Sequence, residues 1–137
     1  MVEPDVLSQT EVAELMNTLA GAVSDRDVNG IIALFAPSSE VVCFVAGTEE
    51  KRLELDEVRG QLERRFMQWQ AVSLQWQWRL ASAKASLACV SADGTLRIVT
   101  QGREEEMTFH LTVILEKSKI KWAVLQSRDS VPVDRAT

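Results

Sequence analysis

The sequence predicts an α+β fold in which three N-terminal helices pack on one face of a curved antiparallel sheet. Three observations carry this. Apolar residues recur at helical spacing as far as Trp69. From Val72 onward they alternate with polar residues, the period of a half-buried strand. Short turn signals then punctuate the alternation. Helices first and a strand meander second place one helix layer against one sheet face.

Ser8 and Glu11 have the S-x-x-E spacing of a capping box and predict the first helix start. Val12, Leu15, Met16, Leu19 and Val23 mark its apolar face, and Ser24-Asp25-Arg26-Asp27 breaks it. A short second helix starts at Asp27 or Asn29 and carries Val28, Ile31, Ile32 and Phe35 inward until Pro37 stops it. Glu40 to Ala46, "EVVCFVA", reads as a strand closed by Gly47-Thr48, and Thr48 to Glu54 as a polar loop. Asp56 caps a third helix bearing Val58, Leu62, Phe66 and Trp69 on one face. Gly60 inside it costs about 1 kcal/mol against alanine. A close helix-to-sheet contact would justify that cost.

"VSLQWQWRL" alternates Leu74, Trp76, Trp78 and Leu80 against Gln75, Gln77 and Arg79. "ASLACVS" is the next strand, Asp93-Gly94 signals a hairpin, and "TLRIVTQ" leads back to a second turn at Gly102. "EMTFHLTVILE", a turn at Lys117-Ser118-Lys119 and "IKWAVLQSRDS" complete the meander, with a frayed tail from Val131. Along "TFHLTVILE", Phe109, Leu111, Val113 and Leu115 point one way, and His110, Thr112 and Ile114 the other. Helices on one face leave the second face apolar and wet, the mark of an interface. A homodimer through the outer sheet face is therefore expected.

The 137 residues are expected to form one domain, with a core over about residues 8–133. The 46% apolar and 26% charged fractions are those of an ordinary globular chain. A net charge of -5 argues against a nucleic-acid partner, which needs clustered cations. Met1 to Asp5 is acidic without an apolar segment, unlike a signal peptide, and no window approaches a membrane span. A cytoplasmic location and no membrane partner are expected. Cys43 and Cys89, in apolar surroundings, read as buried free thiols. With one histidine they offer no metal spacing, and the isolated glycines form no phosphate loop, so no metal or cofactor is expected. Trp69, Trp76, Trp78 and Trp122 read as core or interface packing, and Glu104-Glu105-Glu106 as a solvated face.

The order of elements, with "ALFAPSSEVV" after the short helix, resembles the nuclear transport factor 2-like superfamily and within it the SnoaL-like domains. The resemblance spans about residues 8–133. Its most specific part is "FHLTVILEKSKIKWAVLQSRDSVP". There, a SnoaL-like strand "(F/Y)-R-L-T" precedes "W-x-(I/V)-x-x-x-H-x-S-x-P". Leu111-Thr112, Trp122, Val124, Ser130 and Pro132 match. His110 stands where the pattern has arginine, and Arg128 where it has the late histidine. Kinase-II association domains share a related ending.

The resemblance implies a cone-shaped fold with an apolar small-molecule pocket between the helices and the concave sheet face. Leu19, Val23, Phe35, Phe66, His110, Thr112 and Trp122 are expected to line it, with Arg128 reaching in. His110 is the expected main polar group. Ketosteroid isomerase relatives use a carboxylate near the end of the first strand and a tyrosine. Here that strand reads Val41-Val42-Cys43-Phe44-Val45, and the chain has no tyrosine. That mechanism lacks its base and its donor. Three readings stay open: a binder of an unassigned small molecule, an isomerase, cyclase or dehydratase using His110 as acid or base, and a dimerising association module. A carboxylate bonded to His110 inside the cavity would favour the enzyme. No Ser–His–acid order is readable, because one histidine among many serines leaves any triad unconstrained.

Overall fold

The computed structural model describes residues 6–45, 49–119 and 121–130. In chain order these give α1 (Val6–Ser24), α2 (Val28–Ile32), β1 (Phe35–Val45), β2 (Glu49–Leu53), α3 (Leu55–Gln68), β3 (Ala71–Lys84), β4 (Leu87–Thr100), β5 (Arg103–Ser118) and β6 (Lys121–Ser130). The strands form one six-stranded sheet in the order β2-β1-β6-β5-β4-β3. All neighbours are antiparallel except β1 and β6, which run parallel.

The inner face of α1 is the expected one: Val12, Leu15 and Met16 are buried against Val90, Ala92, Leu111, Val113 and Leu115 of the sheet. Ser8, however, lies inside α1, so the predicted capping box is not a helix start. α1 also guards the open edge of β3. Ser24 Oγ accepts from the Leu74 backbone N–H at 3.1 Å, and Gln9 Nε2 donates to the Ala81 carbonyl at 3.4 Å. An unpaired strand edge would otherwise invite another chain.

Asp27, one of the two expected starts, caps α2, its carboxylate accepting from the Gly30 backbone N–H at 3.0 Å. α2 then ends at Ile32, earlier than expected, and Phe35 opens β1. Pairing of β1 with β6 is irregular between Phe35 and Glu40. Pro37 lies in that irregular stretch, where a missing N–H is tolerated. The expected loop before α3 contains strand β2 instead, because its backbone groups pair with β1. The cap of α3 lies two residues before the expected one. Glu54 holds the cap position, and the Glu57 carboxylate accepts from its backbone N–H at 3.1 Å. Gly60 makes no close packing: an added Cβ would meet only Arg64 Nη1, at 3.5 Å.

Asp93-Gly94 is no hairpin. β4 runs unbroken through both residues, paired with β3 on one side and β5 on the other. The hairpin that joins β3 to β4 turns at Ala85, with φ of 55°. The Gly102 turn is as predicted, with φ of 50° at Gln101 and 78° at Gly102. Such paired positive values match the strand twist.

Two β-bulges decide which side chains face the helices. In β3, Trp76 pairs with Gly94 but Trp78 pairs with Asp93, so Gln77 is an extra residue. Leu74 and Trp76 face inward, whereas Trp78 and Leu80 are 49% and 62% exposed. In β6, Leu115 pairs with Val124 but Ile114 with Gln126, so Leu125 is extra. Trp122 and Val124 face inward ahead of it, and Ser127 and Asp129 beyond it, opposite Val113 and Leu111.

Candidate functional site

A second core cluster forms where α1, α2 and α3 converge over the sheet. Ala22, Ile31, Phe66 and Val72 are buried there, with Leu19, Val23, Phe35, Leu62 and Trp69 packed against them. The structure thus brings together Leu19, Val23, Phe35 and Phe66, four of the expected pocket residues. Trp122 sits elsewhere, in the first cluster, with its Nε1–H donated to Glu11 Oε1 at 3.0 Å. Lys117 Nζ donates to the same oxygen at 3.1 Å.

His110, Thr112 and Arg128 do not join them. Leu111 and Val113 bury against α1, so the residues between must project from the opposite face. Thr112 pairs with Arg128 across β5 and β6, on that outer face. The position expected for Arg128 is corrected by the Leu125 bulge, which reverses the side-chain order of β6. Asp129 takes the inward place instead.

Asp129 is the unexpected polar group of the inner face. Its Oδ1 is buried without a hydrogen-bond partner, and so is the Oγ of Ser39. Burial pushes the Asp129 carboxyl above the usual carboxylate range; its own backbone N–H and the positive charge of Arg65 on α3 pull more weakly the other way. A buried polar atom left unpaired costs about 1–3 kcal/mol, and native chains hold few of them.

Two open hollows also exist among the described residues. One, of about 700 Å³, runs between Asn17 and Ala20 of α1 and the β3 segment from Leu74 to Arg79. The other, of about 500 Å³, lies among Arg26, Val28, Glu63, Phe66 and Met67. Neither includes Asp129. The carboxyl is the stronger functional signal, since an unpaired buried oxygen has a definite energetic cost and an open groove has none.

On the outer face, His110 is anchored at both ring nitrogens. Asp93 stands directly opposite it on β4, and Asp93 Oδ1 lies 2.7 Å from Nδ1. Ser91 Oγ lies 3.0 Å from Nε2. The histidine does have a carboxylate partner, but away from the helices rather than inside the cone. Around this polar centre, Trp78, Leu80 and Leu87 are exposed, so the outer face is mixed rather than uniformly apolar. Cys89 is exposed as well, contrary to the expected burial, because it alternates with buried Ala88 and Val90. The side chains of Cys43, Glu49 and Glu50 and the tail from Val131 lie outside the described residues. Glu104 and Glu106 are solvated as predicted, paired with Arg97 at 3.6 and 2.6 Å. No described helix is long and apolar enough to cross a membrane. No cluster of metal-ligating side chains occurs among the described residues.

A family model described as a SnoaL-like domain matches residues 12–134. No curated protein matches the chain. Among solved structures, a nuclear transport factor 2-like protein from Pseudomonas putida superposes with a TM-score of 0.80 at 18% identity, covering 98% of this chain and 93% of that one. A candidate scytalone dehydratase from Novosphingobium aromaticivorans gives 0.81 at 11% identity, covering 97% of each. A candidate calcium/calmodulin-dependent protein kinase II association domain from Xanthomonas campestris gives 0.77 at 16%, covering 91% and 88%. At these identities the likeness is one of fold.

Proposed function

Because the chain belongs to the SnoaL-like domain family, we propose that it binds a small apolar molecule beneath its helices, with Asp129 as the polar anchor. The unpartnered, buried Asp129 Oδ1 carries this reading. Burial favours the neutral form of this carboxyl, and in that form it donates one hydrogen bond and accepts another. That suits a carbonyl, phenol or enol on an otherwise apolar ligand. Ser39 Oγ is a second buried group without a hydrogen-bond partner. The aliphatic and aromatic residues gathered under the helices are Leu19, Val23, Phe35 and Phe66.

Titration with 2-naphthol, followed by tryptophan fluorescence, tests this. Saturable quenching is expected, weakened about tenfold by Asp129→Ala, the loss of one good hydrogen bond. Asp129→Asn should retain most of it, and His110→Ala should leave it unchanged. Unsaturable quenching, or equal affinity in Asp129→Ala, overturns the proposal.

A second copy of the chain is the occupant we infer for the outer face, because Trp78, Leu80 and Leu87 stand 49%, 62% and 51% exposed on it. Sedimentation should detect a dimer that Leu80→Lys dissociates. A monomer at every concentration removes this inference.

A further inference from the structure

Ser91, His110 and Asp93 form a hydrogen-bonded relay on the outer face, apart from the inner-face carboxyl. We infer that Ser91 is an activated nucleophile for acyl transfer, with His110 as its general base and Asp93 orienting the imidazole. The sheet builds the relay from three positions. Ser91 and Asp93 are two apart on β4, so their side chains share a face. His110 lies directly across from Asp93 on β5 and diagonally across from Ser91. The carboxylate at 2.7 Å accepts the proton on Nδ1, which leaves Nε2 as the acceptor. Ser91 Oγ, 3.0 Å away, then donates its proton to Nε2. These are the mutual distances a serine nucleophile and its base require.

A cross-strand polar network that merely satisfies its own members would share this geometry. Two features favour reactivity. In the single chain the His110 and Asp93 side chains are 42% and 55% exposed, so an incoming carbonyl can reach the centre wherever the second copy is dissociated. Trp78, paired directly with Asp93, gives an apolar surface beside it for an aryl group.

The substrate class follows from what the strands provide. β4 and β5 pair along their whole length, so their backbone N–H groups are engaged with neighbouring strands. They do not converge on an oxyanion as the loops of dedicated hydrolases do. The site therefore suits activated esters, above all aryl esters, whose leaving groups need little help. In the first step Ser91 Oγ bonds to the ester carbonyl carbon, and its proton passes to His110 Nε2. The carbon–oxygen bond to the aryl group breaks, and the leaving phenolate takes that proton. In the second step water attacks the acyl-serine, His110 accepts a water proton, and Ser91 Oγ regains it as the carboxylic acid departs.

The test uses the whole chain with p-nitrophenyl acetate and with a fluorophosphonate probe, over a dilution series that dissociates any sheet-to-sheet dimer. Mass spectrometry should locate the acetyl and phosphonyl groups on Ser91. Ser91→Ala should abolish both adducts. His110→Gln should slow their formation about a hundredfold, the usual contribution of a general base, and Asp93→Asn should slow it as well. Circular dichroism checks that each variant is folded. Adducts scattered over lysines and other serines, or none on Ser91 at any dilution, overturn the inference. So does p-nitrophenol release by Ser91→Ala at the wild-type rate.

Discussion

Gly94 faces the ring of Phe109 across β4 and β5 so closely that a Cβ at position 94 would lie 2.8 Å from Phe109 Cζ. The same Cβ would lie 3.1 Å from Trp76 Cε3. The two rings meet edge to face over the glycine, with centroids 5.9 Å apart. Glycine is there for space and not for a turn. Gly94→Ala should cost about 1–3 kcal/mol, the range for overpacking a filled core. Urea denaturation measures it, and adding Phe109→Leu should recover part of the loss. An unchanged midpoint would show that the rings move aside freely.

Gly60 and Gly21 present the opposite case. Both lie in helices, and no atom crowds a Cβ at either position. Gly60→Ala and Gly21→Ala should each stabilise the chain by up to about 1 kcal/mol through helix propensity alone. Thermal melts of the single and double variants check this, and additive gains are expected.

Glu11 ties α1 to β5 and β6 through one carboxylate oxygen, which accepts from both Lys117 Nζ and Trp122 Nε1. Trp122 is buried, so Glu11→Ala strands an indole N–H. The expected loss is about 1–3 kcal/mol. Glu11→Gln keeps an acceptor and should lose less. Equal losses in the two variants would mean that charge, not the indole bond, dominates.

Asp129 gives stability a pH dependence of definite sign. Its carboxyl titrates above the ordinary range in the folded chain because burial disfavours the anion. Folding therefore favours the protonated form. Its contribution is fully present below the unfolded carboxylate range, and is lost as pH rises through the raised value. Asp129→Asn should melt higher than wild type in neutral and alkaline buffer, with the gap closing in acid. A gap that widens in acid would refute the raised value.

The helices and the inner face of β5 were legible because their periodicity is uninterrupted. Val12, Leu15 and Met16 bury as their spacing predicts, as do Leu111, Val113 and Leu115. The candidate sites were less legible, for a local reason. Simple alternation from Trp122 sends Arg128 inward, whereas the extra Leu125 sends Asp129 there. Simple alternation along β3 likewise keeps Trp78 and Leu80 with Trp76, and the extra Gln77 separates them. A bulge leaves no compositional mark, so neither reversal can be read from residue types. Asp93-Gly94 misled because its turn propensity is local, while two strands and two aromatic rings hold it extended. The Ser91–His110–Asp93 group needed the register of β4 against β5 to single out one serine among many.

Gln77 is solvent-facing, so its side chain is free to vary. Its removal would leave Trp76 opposite Gly94 and Trp78 opposite Asp93, the same partners in plain alternation, with Ala81 and Ala83 still turned inward. Evolution along this strand can therefore shed that one position and lose only the local kink, while both faces of the edge keep their occupants.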